Sequence, residues 1–597
     1  MPAEALAAKL NRLELPLNSV MQHRWLLADE MPGRAKFAQL CGLRSPLAAQ
    51  CLWNRGRRDA ASAARFLDPR LKDLSDPFLL QDMEIAVERL MQARHSGESV
   101  VIFGDYDVDG VTAAASLSEV LTTLGWSADV YLPHRIDDGY GLSHGGLANC
   151  LKQFPATLLI AVDCGSNAVD AIADLGSKGV DVLVVDHHQI GGQRPDAVAL
   201  VNPRAGGSLK ENPPWQDLCS AGLVFKLAHA LVKRCRADGI AAASSYDLRG
   251  LLDFVALGTI SDLVPLTDEN RILAKAGLKR LASTPRRGLQ ELKRIARIQS
   301  TVTAQEVGFQ LGPRLNAAGR LETAIDALAL LRAEDSREAQ RLAALLDARN
   351  QERQGLERRI VEALLEDLRA RFDPERDLVI VEGCDEWHPG VLGIVASRVM
   401  RAFHRPTLIL GGGEREWKGS GRSIEGFDLA EAFRSCDGLL IKHGGHSMAA
   451  GVTLDPENVP SLRQSLNALA RNWLRADHFI PELRLDASTD LQSVDWELIE
   501  ELERLAPFGI GNAQAQFMAP SVRVEGDVKR MGKDGRHMKC MVRDGGVGHE
   551  VVWWNSESKS FPTGEFDLAF VPGVSEFQGR RSLQLRCLDW RARGDGA

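Results

Sequence analysis

The chain has 597 residues, enough for three to five domains. Its composition, 45% hydrophobic and 25% charged, is that of a globular protein, and no apolar stretch approaches the roughly 20 residues needed to span a bilayer. A net charge of −8 and a pI near 6.0 lend no support to a nucleic-acid partner, and they leave room for a basic channel inside an acidic surface.

The first fifteen residues, "MPAEALAAKLNRLEL", are amphipathic and lack an apolar h-region with a cleavage site. The ten cysteines are scattered with no C-x-x-C pair, which suggests neither a zinc site nor a disulfide framework. A cytoplasmic setting is the expectation. Residues 1–78 carry mixed helical signals and a proline-punctuated end, and read as an N-terminal appendage. From 79 to 285 short β-rich runs (100–103, 128–132, 158–162 and 180–185) alternate with helical stretches, the pattern of a parallel sheet covered by helices. Residues 286–372 form a helical connector whose last part, 336–372, reads as one long helix. Leu342, Leu345 and Leu346 make one apolar patch on it, and Leu356, Ile360, Leu364 and Leu368 make another. The polar middle, around Asn350 and Gln354, suits a helix crossing a solvent-filled cleft between two lobes; an ordinary surface helix is the other reading. A second α/β region spans 373–477: strand "DLVIVEG", helix "GVLGIVASRVMRAF", strand "PTLILGG", then glycine-rich loops "KGSGRS" and "KHGGHSMAAG". Residues 478–597 hold five short β runs, which fit an OB-like barrel. The stretch from Ser521 onward has 13 Lys/Arg against 11 Asp/Glu, so charge does not argue for DNA there. Trp553 and Trp554 would face opposite sides of a strand, leaving at most one exposed for base stacking.

Acidic residues gather where apolar runs end. "FGDYDVDG" sets Asp105, Asp107 and Asp109 on alternate positions; "LLIAVDCG" ends at Asp163; "VDVLVVDHH" ends at Asp186, His187 and His188; "DFVALGTISDLVPL" carries Asp262. The carboxyl ends of parallel strands share one edge, so these groups should converge there. Like charges brought together need a cation. Many carboxylates, one or two imidazoles and no thiolate suit Mg²⁺ or Mn²⁺. The number of acids exceeds the needs of one ion, and two ions about 3.5–4 Å apart form a common hydrolytic arrangement for phosphoesters. The triad alone could hold a structural Ca²⁺, but it lacks the bidentate Glu and loop spacing of an EF-hand.

These motifs resemble the DHH phosphoesterase superfamily, and in particular its single-strand-specific 5′-to-3′ DNA exonucleases. The resemblance runs through most of residues 80–590 and includes "GDYDVDG", "PHRIDDGYGL", "VDCG", "DHH", "ALGTISDLVPL", "GPRLNAAGRL", "WHPGVLGIVASR", "GSGRSIEGFDL", "GGHSMAAG" and "APFGIGN". It implies a DHH domain with a parallel sheet, a DHHA1 domain and an OB-like domain. It implies two Mn²⁺ or Mg²⁺ ions held by Asp107, Asp109, Asp163, His187 and Asp262, and degradation of single-stranded DNA to mononucleotides. Many small DHH phosphatases place a His where this chain has Phe103, and Asp105 is expected to supply the missing ligand. Asp186 would orient the two histidines, and His188 would contact a phosphate oxygen. Arg135, Arg314, Arg320, Ser420, Arg422 and His446 are the expected substrate contacts. Also implied are a single-strand-binding protein and a RecQ-type helicase as partners, a monomeric state, and a role in recombination and mismatch excision. A phosphoesterase of short oligonucleotides or cyclic dinucleotides is the alternative, and it would need neither end region.

Overall fold

In a computed structural model the described residues are 23–134, 138, 141–205, 212–299, 301–413, 415–532, 535–556, 560–577 and 579–592. The amphipathic N-terminal residues and Arg135 lie outside them.

The first α/β lobe is built on a five-stranded parallel sheet. Its spatial order is Ser127–Tyr131, Ser99–Gly104, Leu158–Val162, Asp181–Val185 and Ala199–Val201. All five residues of Leu158–Val162 are buried, as expected of a central strand covered on both faces. Alternate side chains divide between two cores. Val100, Ile102, Leu158, Ile160 and Val162 join the helices Met83–Ser96, Val108–Leu124 and Ser220–Ala237 on one face. Val101, Phe103, Leu159 and Ala161 join His144–Gln153 and Val169–Ser177 on the other. Gly104 pairs with Val162, and Val162 with Val185. The next residue on each strand, Asp105, Asp163 and Asp186, therefore sits at the same level of the sheet edge. The first strand of this sheet in chain order, Ser99–Gly104, lies between the second and third, so the chain reverses its direction of winding there. Asp105 and Asp163 flank that switch point, where open α/β sheets bind ligands.

The long helix runs Ser336–Arg371. Leu342 and Leu346 pack into the first lobe's core, and Ile360, Leu364 and Leu368 pack under the second lobe's sheet. The polar middle differs from the solvated segment expected. Gln354 is exposed, but Asn350, Arg353 and Glu357 are buried. Arg353 donates to Glu357 Oε2 at 3.0 Å and to Asn350 Oδ1 at 3.0 Å, and Arg398 of the second lobe reaches Glu357 Oε1 at 2.5 Å. Buried polar groups survive when they pair with one another, and Arg353 bonds Asn350 and Glu357 about one turn away on either side, while its Nε has no hydrogen-bond partner among the described residues.

The second lobe has a five-stranded sheet in the order Lys442–Gly445, Ala449–Leu454, Trp417–Arg422, Thr407–Gly411, Ile380–Cys384. The segments expected as glycine-rich loops are thus three of its strands. Their glycines make them poor strand formers in isolation, and pairing with the apolar Thr407–Gly411 strand overrides that preference.

The C-terminal strands Phe517–Met531, His537–Arg543, Gly548–Trp553, Arg580–Ala592 and Phe566–Phe577 follow one another in the sheet, and pairing of Phe517–Met531 with Phe566–Phe577 closes them into a partial barrel. Three strands run 12 to 15 residues, longer than the short runs anticipated. Trp553 is buried and Trp554 is 50% exposed. The N-terminal segment read as an appendage packs against this barrel. Phe37, Leu47, Leu52 and Phe66 share one core with Leu498, Phe517 and Phe570, and Arg24–Leu27 pairs in parallel with Glu482–Leu485. No helix among the described residues is long and apolar enough to cross a membrane.

Candidate metal centre

Each acidic side chain at the sheet edge is held by a main-chain or hydroxyl donor. Asp107 caps the helix Val108–Leu124, its Oδ1 accepting from the amides of Asp109 at 2.9 Å and Gly110 at 3.2 Å. The glycine ending "GDYDVDG" is required there, because a Cβ at Gly110 would lie 2.6 Å from the Asp105 carbonyl oxygen. Asp109 is buried and accepts from the amides of Ser220 at 2.7 Å and Ala221 at 2.8 Å, at the start of helix Ser220–Ala237. Asp163 adopts a left-handed backbone, φ 64°, and accepts the Ser220 hydroxyl at 2.9 Å. Asp186 turns back on its own loop. It accepts from the amides of His187, His188 and Ser166, and from His188 Nδ1 at 2.7 Å. Asp262 ends the helix Leu252–Ser261 rather than a strand.

These groups converge. Ligand atoms of Asp109, His187 and Asp262 lie within 4.8 Å of one another, as do those of Asp105, Asp107 and Asp163, and those of Asp163, His187 and His188. His187 Nε2 is 3.4 Å from Asp163, 3.5 Å from Asp262 and 3.9 Å from Asp109. His187 Nε2 and Asp262 Oδ2 are both buried and make no hydrogen bond among the described residues. A buried lone pair beside buried carboxylates is costly unless something cationic satisfies them. Phe103, at the position of the absent His, is wholly buried against Tyr131, and Asp105 stands at the sheet edge two residues later.

The electrostatics point the same way. Burial, then the charges of Asp109, Asp107, Asp105 and Asp262, pushes Asp163 well above the usual carboxylate range. Burial, then Asp109 and Asp107, raises Asp262 to about 9. Asp109 is raised by burial, against the pull of His187. Burial keeps the His187 imidazole neutral by lowering its pKa, which suits a ligand. Burial also opposes charge on His188, but its hydrogen bond to Asp186 and that carboxylate's charge prevail and raise it to about 9. Burial works against charge on Asp186 too, yet His188 and the Ser166 donor hold its pKa below the ordinary value.

A pH dependence follows. Carboxyls raised in the fold hold protons that a divalent cation must displace, so binding of Mn²⁺ should release protons and tighten as pH rises from 6 to 8. Without metal these carboxyls favour the folded chain at low pH. That contribution is lost as pH rises from the unfolded value near 3.8 through about 9. The melting temperature of metal-free protein should fall across that window, and added Mn²⁺ should raise it more at pH 8 than at pH 6. A Mn²⁺ stabilisation that is equal at both, with no proton uptake or release in calorimetry, would count against this centre.

The second lobe supplies a different kind of site. Arg422 Nη1 donates to Ser420 Oγ at 3.1 Å and to the Gly421 carbonyl at 2.8 Å, and no carboxylate among the described residues forms an ion pair with it. Burial lowers its pKa. Gly393, in the first turn of helix Leu392–Phe403, lies against this pair; a Cβ there would be 2.9 Å from Ser420 Oγ and 3.0 Å from Arg422 Nη2. A hydroxyl, an unbalanced guanidinium and a helix N-terminus together suit a phosphate. A cavity of about 110 Å³ lies between the two sites. It is lined by Ser261, beside Asp262, by Ile394, beside Gly393, and by Asn316, Arg320 and Arg353. Arg314 differs: its Nε donates to Asp347 at 2.8 Å, so the long helix already neutralises its charge. Arg320 donates to the Gly390 carbonyl at 3.3 Å, linking the lobes. His446 is exposed at the turn of the hairpin Lys442–Gly445/Ala449–Leu454. The sequence reading missed Ser220, which holds both Asp109 and Asp163, and Asn316, whose Oδ1 accepts the Val108 amide at 3.1 Å.

Comparison with known proteins agrees with this division. The model of the DHH family N-terminal domain matches residues 99–259, the DHHA1 domain 377–472, and the RecJ OB domain 485–589. The single-stranded-DNA-specific exonuclease RecJ of Bacillus subtilis is 37% identical over 558 residues, covering 91% of this chain and 68% of that protein. RecJ of Escherichia coli is 34% identical over 564 residues, covering 90% and 95%. Among solved structures, Thermus thermophilus RecJ in complex with Mn²⁺ superposes with a TM-score of 0.81 at 30% identity, covering 95% of this chain and 79% of that one. Its complex with Mg²⁺ gives 0.76 at 29% identity, covering 95% and 78%. Identity above 30% across nine-tenths of the chain, on the same domains in the same order, leaves one conclusion: the chain belongs to the RecJ family of single-stranded-DNA-specific exonucleases.

Proposed function

We propose that this chain removes nucleotides from the 5′ end of single-stranded DNA by metal-dependent phosphodiester hydrolysis, in recombination and mismatch excision. The observation that carries the reading is the orphaned pair His187 Nε2 and Asp262 Oδ2, buried among Asp109, Asp163 and their neighbours. Asp109, His187 and Asp262 would hold one Mn²⁺ or Mg²⁺, and Asp105, Asp107 and Asp163 the other, with Asp163 also within reach of the first. When bound, such ions activate water and neutralise charge on a phosphoryl group. The protein's own part is orientation. Asp186 fixes the ring of His188, whose proton then points charge at a non-bridging phosphate oxygen. Ser220 fixes Asp163. Ser420 and Arg422 anchor the terminal phosphate, and Arg320 and Arg353 border the path between the two sites. Arg135 and His446 remain proposed contacts along the strand. We retain boundaries at 78, 285, 372 and 477, a monomer, a cytoplasmic setting, and a single-strand-binding protein and a RecQ-type helicase as partners.

The inter-lobe cavity, about 110 Å³, is too small to hold a duplex about 20 Å across. With Mn²⁺ and no partner protein, a hairpin carrying a 5′ tail should be degraded along the tail and stall at the junction. Products running deep into the stem, or equal attack on a 3′ tail, would reject 5′ entry through a narrow cleft. A blunt duplex should be nearly inert.

A further inference from the structure

A second cavity, of about 260 Å³, lies apart from the acidic cluster, where the N-terminal segment meets the helix Asp268–Ala282 of the first lobe. Arg57, Arg65 and Arg271 line it together with Phe66 and the carboxylates Asp73, Asp268 and Glu269. Arg271 is only 2% exposed. Its Nε donates to the Phe66 carbonyl at 2.8 Å and its Nη2 to the Ala506 carbonyl at 2.9 Å, so it clasps main chain from the N-terminal segment and from the approach to the barrel. Among the described residues its Nη1 makes no hydrogen bond, and neither does the buried Nε of Arg57. Both guanidiniums lie over the Phe66 ring, at 3.8 and 5.3 Å from its centroid. No carboxylate among the described residues pairs with Arg271. Glu269 is taken by Lys226 at 2.8 Å in a fully buried pair, and Asp268 lies 3.6 Å from Arg57. Burial, with Arg57 and Arg55 nearby, lowers the Arg271 pKa to about 9.

A role as a main-chain clasp explains Nε and Nη2 of Arg271. It leaves unexplained the idle Nη1, the idle Nε of Arg57, and a cavity opening in front of both. Two guanidiniums with unused N–H groups, one of them with no carboxylate of its own among the described residues, make a receptor for a multiply charged oxyanion. We propose that this cavity binds a phosphate group, as inorganic phosphate or as a 5′-mononucleotide, at a site separate from the catalytic centre. Its walls include the clasp joining the N-terminal segment and the first lobe to the barrel approach, so occupancy also stiffens that junction.

The test uses full-length, metal-free protein carrying Arg422→Ala, which removes the terminal-phosphate clamp proposed for the second lobe, so that any remaining binding at the catalytic centre is told apart by the arginine substitutions below. Isothermal titration with inorganic phosphate and with 2′-deoxyadenosine 5′-monophosphate should give saturable one-site binding, and neutral deoxyadenosine should give none. Adding Arg57→Gln and Arg65→Gln should weaken binding at least about tenfold. Arg271→Met should abolish it; if that variant does not fold, the Arg57/Arg65 pair decides. Tighter binding of the mononucleotide assigns the site to it, and equal binding assigns it to the phosphate group alone; both support the proposal. Absence of saturable binding, or affinity unchanged by Arg57→Gln with Arg65→Gln, overturns it.

Discussion

Replacing Asp163 with Asn should lower hydrolysis of single-stranded DNA by about 10³-fold or more while leaving the fold intact. Asn is the informative substitution because it keeps the shape of the side chain and tolerates the left-handed backbone at φ 64°. What it removes is a negative charge that no other residue can supply in the same place. Asp163 belongs both to the group with Asp105 and Asp107 and to the group with His187 and His188. Its amide bonds the Val185 carbonyl at 3.1 Å and its carboxylate takes the Ser220 hydroxyl, so it cannot drift and a neighbour cannot take over. The same change relieves repulsion among buried carboxylates, so the metal-free variant should melt at or above wild type at pH 8. The joint outcome, lost activity with undiminished stability and weakened Mn²⁺ binding, separates a ligand from a structural residue. An Asp163→Asn protein with near wild-type rate would refute the two-ion assignment.

The convergence behind that expectation was legible in the sequence for a simple reason. Apolar runs of four to six residues mark buried parallel strands, and whatever follows them must lie on one edge. Asp105, Asp163 and Asp186 are found there because strand register is a local property repeated across the sheet. The long helix was legible through its two apolar patches. Other features depend on partners distant in the chain. Ser220 is one hydroxyl among many until the helix it starts is docked against Asp109 and Asp163. The middle around Asn350 and Gln354 reads as a solvated stretch because polarity alone does not tell whether a group faces water or another buried group; Asn350 and Arg353 are buried against Glu357, and Arg398, which reaches Glu357, comes from the other lobe. The glycine-rich strands of the second lobe were read as loops because glycine is scarce in strands, and their place in the sheet is set by the strands beside them. Phe66 and its neighbours gave no sign of sharing a core with the barrel, since nothing local links the two ends of a chain.

Replacing Arg422 with Ala should slow degradation of 5′-phosphorylated strands by roughly 30- to 1,000-fold, and of 5′-hydroxyl strands far less. The range corresponds to losing a partly buried, charge-assisted contact of about 2–4 kcal/mol. Among the described residues, Arg422 is a cation whose hydrogen-bond partners are Ser420 Oγ and the Gly421 carbonyl. It has no counter-ion among the described residues, so its charge is available to a ligand, whereas that of Arg314 is matched by Asp347. The amides at the start of Leu392–Phe403 add the positive end of a helix, brought close by Gly393. Across the cavity bounded by Ile394 and Ser261 stands Asp262. A strand gripped by its terminal phosphate at one end of that cavity presents its first internucleotide linkage toward the other, which makes the terminal group a determinant of direction. Steady-state rates on matched 5′-phosphate and 5′-hydroxyl oligonucleotides decide the matter. A large loss confined to the phosphorylated strand supports the clamp. Equal losses on both would mean that Arg422 serves the sheet or the path of the strand, and the source of 5′ polarity would have to lie elsewhere.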